Sequence, residues 1–246
     1  MRRRTLPNIH VPKSTLRLRN VGLLTGQIIF GVFPESLGAT YKDKASGSPG
    51  AFGIFSCNGN NIMTTSGGGM IVSNNVEALE KMRFWATQAR DPPPIISTAK
   101  WAITTASATY WPVSDADNCG CWMNACRRIF DRYVAELSDI DGLVFMPEAA
   151  FGRSNRWLSV ITLDAARCRA TPYQLMERLE SENIEARPVW KPLHLQPLLE
   201  GCSYYAHHES GSVSDRLFTT GLCLPSGTNM NQDDQQRVLE CIRKTL

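Results

Sequence analysis

The sequence predicts an α/β fold on three observations. Short β-branched runs bounded by glycine and asparagine lie between residues 51 and 72, as is typical of strands joined by tight turns. Apolar residues recur at helical spacing after Asn75 and again over Arg127–Leu137. The C-terminal part alternates strand patterns with helices that carry clear capping residues.

Composition narrows the class of protein. The 246 residues are 43% hydrophobic and 20% charged, which is ordinary for a globular protein. With 26 Lys and Arg against 23 Asp and Glu, the net charge of +3 predicts neither nucleic acid nor an acidic membrane as a partner. No apolar stretch is as long as a signal peptide or a membrane span, so we expect a cytoplasmic protein. Because the eight cysteines are scattered along the chain, we expect them to be free thiols.

Residues 1–34 form a basic N-terminal arm without an assigned structure, in which only Val21–Phe33 is a strand candidate. Three strand runs follow, at residues 51–56, 62–65 and 70–72. Asn74 and Asn75 then open a helix. Its apolar face carries Val76, Leu79, Met82 and Trp85.

The C-terminal region, 127–246, is expected to be a small α/β domain. Trp157–Leu163 has a strand pattern. Thr171, Pro172 and Gln174 predict an N-cap, a first-turn proline and a capping box, for a helix that buries Leu175 and Leu179 and ends near Asn183. Asn231 predicts the cap of a final helix, with Asp233 and Asp234 in its first turn and Val238, Leu239 and Ile242 on its buried face.

The segment Phe55–Met70 is a turn rich in glycine and hydroxyl groups between two strands. Backbone NH groups and hydroxyls in such a turn can bind a phosphate. A plain hairpin is the alternative that the residues alone leave open.

The same segment closely resembles the pyridoxal-phosphate (PLP) sugar aminotransferases of the DegT/StrS family. Members read Phe-Ser-Phe-Asn-Gly-Asn-Lys-Ile-Ile-Thr-Thr-Ser-Gly-Gly-Gly-Met there. The resemblance continues at Glu35–Tyr41, Ala86–Asp91, Asn155–Leu158, Asn183–Pro197 and Gly221–Gly227. It implies PLP-dependent transferase fold type I, with an incomplete large domain over 35–126 and the small domain over 127–246.

The resemblance also implies a function: transfer of an amino group, from glutamate, to the keto group of a nucleotide-sugar, for amino sugars of polysaccharides. The intact family works as a homodimer with shared active sites. Its chemistry needs a lysine amine that forms a Schiff base with PLP and then acts as the base.

Carried over by position, the resemblance places the family's lysine at Asn61, five residues after Ser56. An amide is neither nucleophilic nor basic. The acidic partner of the pyridine nitrogen falls at Val32, while Ser56 matches the serine that binds the cofactor phosphate and Glu35 matches the last acidic position. We therefore expect Ser56 and Glu35 to keep supporting roles and catalysis to be impaired. The family's N-terminal part, with the remaining phosphate contacts, has no counterpart in the sequence.

Residues 95–126 have no clear period, and we interpret them as a shifted reading frame. Codons for Lys100–Thr105 can be chosen so that, regrouped with the last base of the Ala99 codon, they spell Glu-Met-Gly-Tyr-Asn-Tyr, which contains most of the family's Gly-Tyr-Asn-Tyr-Arg motif. The codons that follow permit the rest of the motif and the family's long amphipathic helix. The inference is one frameshift near Pro94 and a compensating one near Cys126, with loss of that helix and of the motif's asparagine. Three thiolates for a metal, from Cys119, Cys121 and Cys126, are the competing reading. No fourth ligand is apparent, so no metal is expected.

Arg187, Lys191 and His194 are candidates to line an anionic nucleotide-sugar site, the alternative being a connector with solvated charges. His207 and His208 are expected in a polar loop. Asn155, Arg156 and Trp157 are expected to be structural, and Cys57 and Cys223 to be small buried residues rather than nucleophiles.

Two hypotheses remain. The chain is an aminotransferase relative that is active only if the frame and codon 61 are restored, or it is a non-catalytic remnant or lysine-less binding relative.

Overall fold

The computed structural model describes residues 30–32, 34–64, 68–86, 113–205 and 212–246. They fall into two compact units. The first comprises the described residues of Met1–Cys119 with Ala150–Ser154, and the second comprises Gly120–Ala149 with Asn155–Leu246. Both units mix helices or turns with small sheets, as the α/β prediction requires.

The described residues of the first unit form two three-stranded sheets, one complete helix and the first turns of a helix that continues into the second unit. Its elements are β1 (Phe30–Val32), β2 (Thr40–Tyr41), β3 (Lys44–Ala45), β4 (Phe52–Ser56), β5 (Gly69–Val72), α1 (Val76–Ala86) and β7 (Gly152–Arg153). The order of the main sheet is β1-β4-β5, with β1 parallel and β5 antiparallel to β4. The second sheet has the order β3-β2-β7.

Strand β4 is the centre of the first unit because it combines apolar residues with a glycine that allows a close backbone approach. Phe52 and Phe55 are buried. A Cβ at Gly53 would lie 2.4 Å from the Gly47 carbonyl oxygen, so only glycine fits at that strand position.

One expected strand is absent. Ile62 and Met63 form bends and Thr64 has no regular structure, so these residues do not form the predicted strand, although Met63 is buried. The turn after β4 occupies this stretch, and the burial of Met63 accounts for the apolar pattern without strand pairing. Helix α1, in contrast, begins as predicted, with the Ala78 amide donating to Asn75 Oδ1 at 3.0 Å.

The second unit is a four-stranded antiparallel sheet packed with helices. Its strands are β6 (Leu143–Phe145), β8 (Ser159–Leu163), β9 (Arg187–Pro188) and β10 (Gly221–Leu224), in the order β6-β8-β10-β9. Its helices are α2 (Val113–Leu137), α3 (Pro172–Ser181), α4 (Val213–Thr220) and α5 (Gln232–Thr245). Short 3₁₀ turns span Leu193–Leu195 and Pro197–Leu199.

The core of the second unit lies between this sheet and helices α2, α3 and α5. All four residues of β10 are buried. The cluster includes Tyr133, Leu137, Ile161, Leu163, Leu175, Leu179, Val238, Leu239 and Ile242. The predicted buried faces of α3 and α5 are therefore confirmed.

The caps of α3 and α5 are also confirmed. The hydroxyl of Thr171 accepts from the Gln174 amide, and the Gln174 side chain accepts from the Thr171 amide in return. Asn231 and Asp234 make the same reciprocal pair at α5. Asn183 follows the end of α3 with a φ of 57°, so the helix stops where the sequence predicts.

Helix α2 corrects the expectation that residues up to Cys126 lack helical structure. The helix begins at Val113, not at Arg127. Met123 and Cys126 lie on the same buried face as Phe130 and Tyr133, because their spacing of three, four and three residues follows the helix. Burial of that face outweighs the poor helix propensity of the serine, asparagine and glycine nearby.

Several predictions lie outside the described residues: the arm up to residue 29, the segment 87–112, and His207 with His208. The side chain of Cys119 also lies outside them. Among the helices that the structure describes, none combines the length and apolar character needed to cross a bilayer.

Candidate functional site

The first candidate site lies at one edge of the main sheet in the first unit. Because β1 and β4 are parallel, with Val32 opposite Ile54, their carboxyl ends meet at the same edge. Val32 ends β1 and Ser56 ends β4. The positions that the sequence assigns to the ring-nitrogen acid and the phosphate serine are thus neighbours on this edge.

The turn after β4 is organised by Ser56, Asn58 and Asn61. The Asn58 amide donates to Ser56 Oγ at 3.2 Å, and the Asn61 amide donates to the Asn58 carbonyl at 3.0 Å. Asn61 Nδ2 donates to the Ser56 carbonyl at 2.9 Å. Asn61, the residue that the resemblance aligns with the family's lysine, therefore has its side chain turned back onto the end of β4.

The other atom of that amide is unusual. Asn61 Oδ1 is buried, and within the described part of the chain it has no hydrogen-bond partner. A buried acceptor without a donor costs about 1–3 kcal/mol, so this oxygen is a place where a ligand donor would be favoured. Glu35, by contrast, is exposed to solvent after β1.

The second group of candidates belongs to the second unit. Arg187 is exposed in β9 and is paired with Glu185, whose Oε1 accepts from Arg187 Nε at 2.7 Å. Lys191 is exposed. Arg187 and Lys191 are thus available to solvent, although the charge of Arg187 is partly neutralised by its neighbour.

His194 is held more firmly. Its Nε2 lies 2.7 Å from Asp215 Oδ1, and its ring stacks on Tyr204 with 3.7 Å between ring centroids. The Tyr204 hydroxyl donates to Ser212 Oγ at 3.0 Å, and Ser212 caps α4. His194 therefore ties its 3₁₀ turn to the start of α4.

Sequence reasoning missed Asp215 and Tyr204 as partners of His194. The only signal was Ser212 followed three residues later by Asp215, which is an N-cap pattern. Nothing in that pattern indicates the histidine or the tyrosine, because His194 lies in a 3₁₀ turn and Tyr204 in an irregular stretch, both outside the cap.

Arg156 has the structural role that the sequence predicts. It is 5% exposed, its Nη1 donates to the Met146 carbonyl at 2.8 Å, and its guanidinium lies 3.9 Å from the Phe130 ring centroid. Burial lowers the pKa of Arg156 from its ordinary value. Its neighbour Asn155 is equally buried.

Cys57 and Cys223 are buried, as predicted. Burial raises the pKa of the Cys223 thiol to about 11, so this thiol stays protonated at neutral pH. Cys223 is therefore unsuited to act as a nucleophile.

Comparison with known proteins decides the family. The sequence model of the DegT/DnrJ/EryC1/StrS aminotransferase family matches residues 28–111 and 112–243. This chain belongs to that family. The family consists of PLP-dependent aminotransferases, so the predicted resemblance is confirmed.

Two curated members of the family show how much of it the chain spans. The pyridoxal phosphate-dependent aminotransferase EpsN of Bacillus subtilis is 48% identical over 214 residues, which is 85% of this chain and 54% of EpsN. GDP-perosamine synthase of Caulobacter vibrioides is 30% identical over 220 residues, 86% of this chain and 57% of the synthase. The chain thus spans little more than half the length of these relatives.

The solved structures agree on the fold. PseC of Helicobacter pylori, an aminotransferase involved in pseudoaminic acid biosynthesis, superposes with a TM-score of 0.76 at 16% identity. The match covers 95% of this chain and 63% of PseC. The chain therefore has part of PLP-dependent transferase fold type I, as predicted.

The residues present do not fit a PLP held in the way the DegT family needs. A Schiff base requires a primary amine, and Asn61 offers an amide whose nitrogen already donates to the Ser56 carbonyl. Val32 is 67% exposed and apolar, so it cannot keep a ring nitrogen protonated. Ser56, whose hydroxyl oxygen accepts from the Asn58 amide, offers chemistry suited to a phosphate.

Proposed function

We propose that this chain descends from an enzyme that aminates a keto nucleotide-sugar and that, as written, it does not catalyse the reaction. The ancestral enzyme uses PLP, takes its amino group from glutamate, works as a cytoplasmic homodimer and supplies amino sugars for polysaccharides. The names of EpsN and GDP-perosamine synthase support the reaction class and the sugar substrate. The observation that carries the loss of activity is Asn61, whose amide is turned onto the Ser56 carbonyl where the family needs a free amine.

The reading-frame interpretation supports the same conclusion. The two segments matched by the family model, 28–111 and 112–243, together include the segment 95–126 that we assign to a shifted frame, so this interpretation stays a prediction. Frameshifts there would remove the family's Gly-Tyr-Asn-Tyr-Arg motif while leaving the sequence on both sides recognisable.

A lysine-less ligand-binding relative is the second candidate. The buried Oδ1 of Asn61, without a partner among the described residues, favours it, because a bound donor group would satisfy that oxygen. Ser56 lies beside it and has a hydroxyl group that can serve a phosphate.

Adding PLP to the purified chain tests the proposal. Surface lysines form Schiff bases with free PLP, so the result is located by peptide mapping: we expect no borohydride-stable adduct in the peptide that carries residue 61. Asn61→Lys supplies the missing amine, and Asn60→Lys, an equal charge change one residue earlier, is the matched control. An adduct that appears only in Asn61→Lys would attribute the loss to that amine. Formation of an amino sugar by the unaltered chain, above a protein-free control, would contradict the proposal.

Two further measurements separate the candidates. Resequencing the codons for Asn61 and for residues 94–126 distinguishes a true lesion from an error in the sequence. Calorimetric titration with GDP-mannose and UDP-glucose then distinguishes a binding relative, which releases or takes up heat saturably, from a remnant, which does not.

A further inference from the structure

The turn between β4 and β5 contains the only Asn-Gly pair of the 246-residue sequence, Asn58–Gly59. Asn58 and Gly59 are both exposed. Asn-Gly is the pair in which an asparagine side chain is most open to attack by the following backbone nitrogen, because glycine has no Cβ to obstruct the approach.

Neither conformation nor packing requires a glycine at position 59. Gly59 is not among the residues with positive φ, unlike Gly68 at 86°. A Cβ at Gly59 would meet no heavy atom within 4 Å. An alanine would therefore fit without a change in the turn.

The Gly59 backbone nitrogen, which would attack, and the Asn58 side-chain nitrogen, which would leave, make few hydrogen bonds. Within the described part of the chain, no hydrogen bond is formed by the Gly59 amide. Asn58 Nδ2 makes a single contact, with Asn60 Oδ1 at 3.4 Å, which is at the outer limit for a hydrogen bond. Little has to break before the two groups can react.

We propose that Asn58 is a site of spontaneous deamidation. The Gly59 nitrogen attacks Cγ of Asn58 and forms a five-membered succinimide. The Cγ–Nδ2 bond breaks, and the side-chain nitrogen leaves as ammonia with the proton lost by the Gly59 nitrogen. Water then opens the ring at Cγ, giving aspartate, or at the backbone carbonyl carbon, giving isoaspartate. The net change is addition of one water and loss of one ammonia, with no oxidation.

The modification changes the turn described above. Either product places a negative charge two residues after Ser56, and isoaspartate also lengthens the backbone by one methylene. The bonds of Asn58 to Ser56 Oγ and to the Asn61 amide both lie within this altered stretch. Deamidation would therefore weaken the hydrogen bond from Asn61 Nδ2 to the Ser56 carbonyl at the end of β4, whether or not the chain binds a ligand.

Peptide mapping by mass spectrometry tests the proposal. The full chain is incubated at pH 8 and 37 °C, and deamidation is followed at Asn58, Asn60 and Asn74, which are all exposed. Asn60 and Asn74 are each followed by asparagine and serve as internal controls. We expect Asn58 to react at least about tenfold faster than either, and Gly59→Ala to slow it by a similar factor.

A denatured sample and an isoaspartate methyltransferase assay complete the design. The methyltransferase should label the aged native chain in the peptide that carries Asn58. Equal rates at the three asparagines, or no effect of Gly59→Ala, would overturn the proposal. So would reaction in the denatured chain alone, since the folded turn would then prevent the attack.

Discussion

Arg156 is a charged side chain that the second unit uses for packing. Its guanidinium lies over the Phe130 ring, and Phe130 in turn packs edge-on against Phe145 with 5.7 Å between centroids. A planar guanidinium can stack face to face on a ring while its in-plane N–H groups donate to a carbonyl, whereas an ammonium has no plane that could stack. Both the planar shape and the positive charge of the Arg156 guanidinium thus contribute to its packing.

Arg156→Lys is therefore expected to destabilise the second unit by about 1–2 kcal/mol although the charge is kept. Urea denaturation followed by circular dichroism measures the change. Arg169→Lys, at an exposed position of the same unit, is the control and should change the stability little. Equal stability of Arg156→Lys and the unaltered chain would show that stacking contributes nothing.

The cysteines should differ strongly in reactivity. Burial raises the pKa of Cys126 and of Cys223 to about 11, while Cys121 and Cys202 are exposed. We expect iodoacetamide at pH 8 to label Cys121 and Cys202 in the native chain, and Cys126 and Cys223 only after unfolding. Mass mapping of the alkylated peptides checks this pattern, which native labelling of Cys126 would contradict.

The raised pKa values of Cys126 and Cys223 also predict that the protein loses stability at alkaline pH. A thiol with an ordinary pKa of 9.0 ionises in the unfolded chain before it ionises in the folded chain. The contribution of these thiols to the free energy of unfolding is thus fully present below pH 9.0 and is lost between pH 9.0 and about 11. The melting temperature of a Cys126→Ala, Cys223→Ala double variant should fall less steeply over this range. A slope equal to that of the unaltered chain would exclude the two thiols as its cause.

At the scale of elements, the sequence predicts features that depend on residues a few positions apart, but not features that depend on contacts between distant residues. The caps at Thr171 and Asn231 are readable because cap and partner are three residues apart. Strands β2 and β7, in contrast, are two residues long and pair Thr40 with Arg153, so neither has a pattern that could reveal it. The beginning of α2 was missed for a related reason, because the burial of Met123 and Cys126 depends on the rest of the second unit.

The candidate site likewise combines features that the sequence motifs predict with features that depend on the folded structure. The resemblance assigned Val32 and Ser56 to the site by their positions in the motifs, whereas their place at one edge of the sheet follows only from the parallel pairing of β1 and β4. The bond from Asn61 to the Ser56 carbonyl and the contact of His194 with Asp215 depend on rotamers and loop paths, which one sequence does not specify.

The capping box of α3 gives the prediction at this scale. Thr171→Ala removes the hydroxyl that accepts from the Gln174 amide and should cost about 1 kcal/mol. Thr171→Ser keeps the hydroxyl and is the matched control. Thermal denaturation of both variants measures the difference, and identical melting of the alanine and serine variants would contradict the role of the cap.

At the scale of the whole molecule, the described parts of the two units differ in the size of their cores. The second unit has a cluster of fifteen buried residues. In the first unit, the buried hydrophobic side chains among the described residues are Phe52, Phe55, Cys57 and Met63. Because stability follows buried apolar area, the second unit is expected to be the more stable of the two.

We therefore expect unfolding in two steps instead of one. Hydrogen exchange should show lower protection for β4 and β5 than for β8 and β10, and a fluorescent dye for apolar surface should bind before the second unit melts. A single sharp transition, with equal protection in both units, would contradict this expectation.

Proline at position 188 has a consequence for how the four-stranded sheet ends. The Val189 amide donates inward to the Gly221 carbonyl, so by the alternation along a strand the nitrogen of residue 188 points outward, where proline carries no hydrogen. At the opposite side, the Met146 amide donates inward to Val160, which leaves the Phe145 amide pointing outward. Among the strands that the structure describes in this sheet, edge-to-edge aggregation is therefore hindered at Arg187–Pro188 and open at Leu143–Phe145.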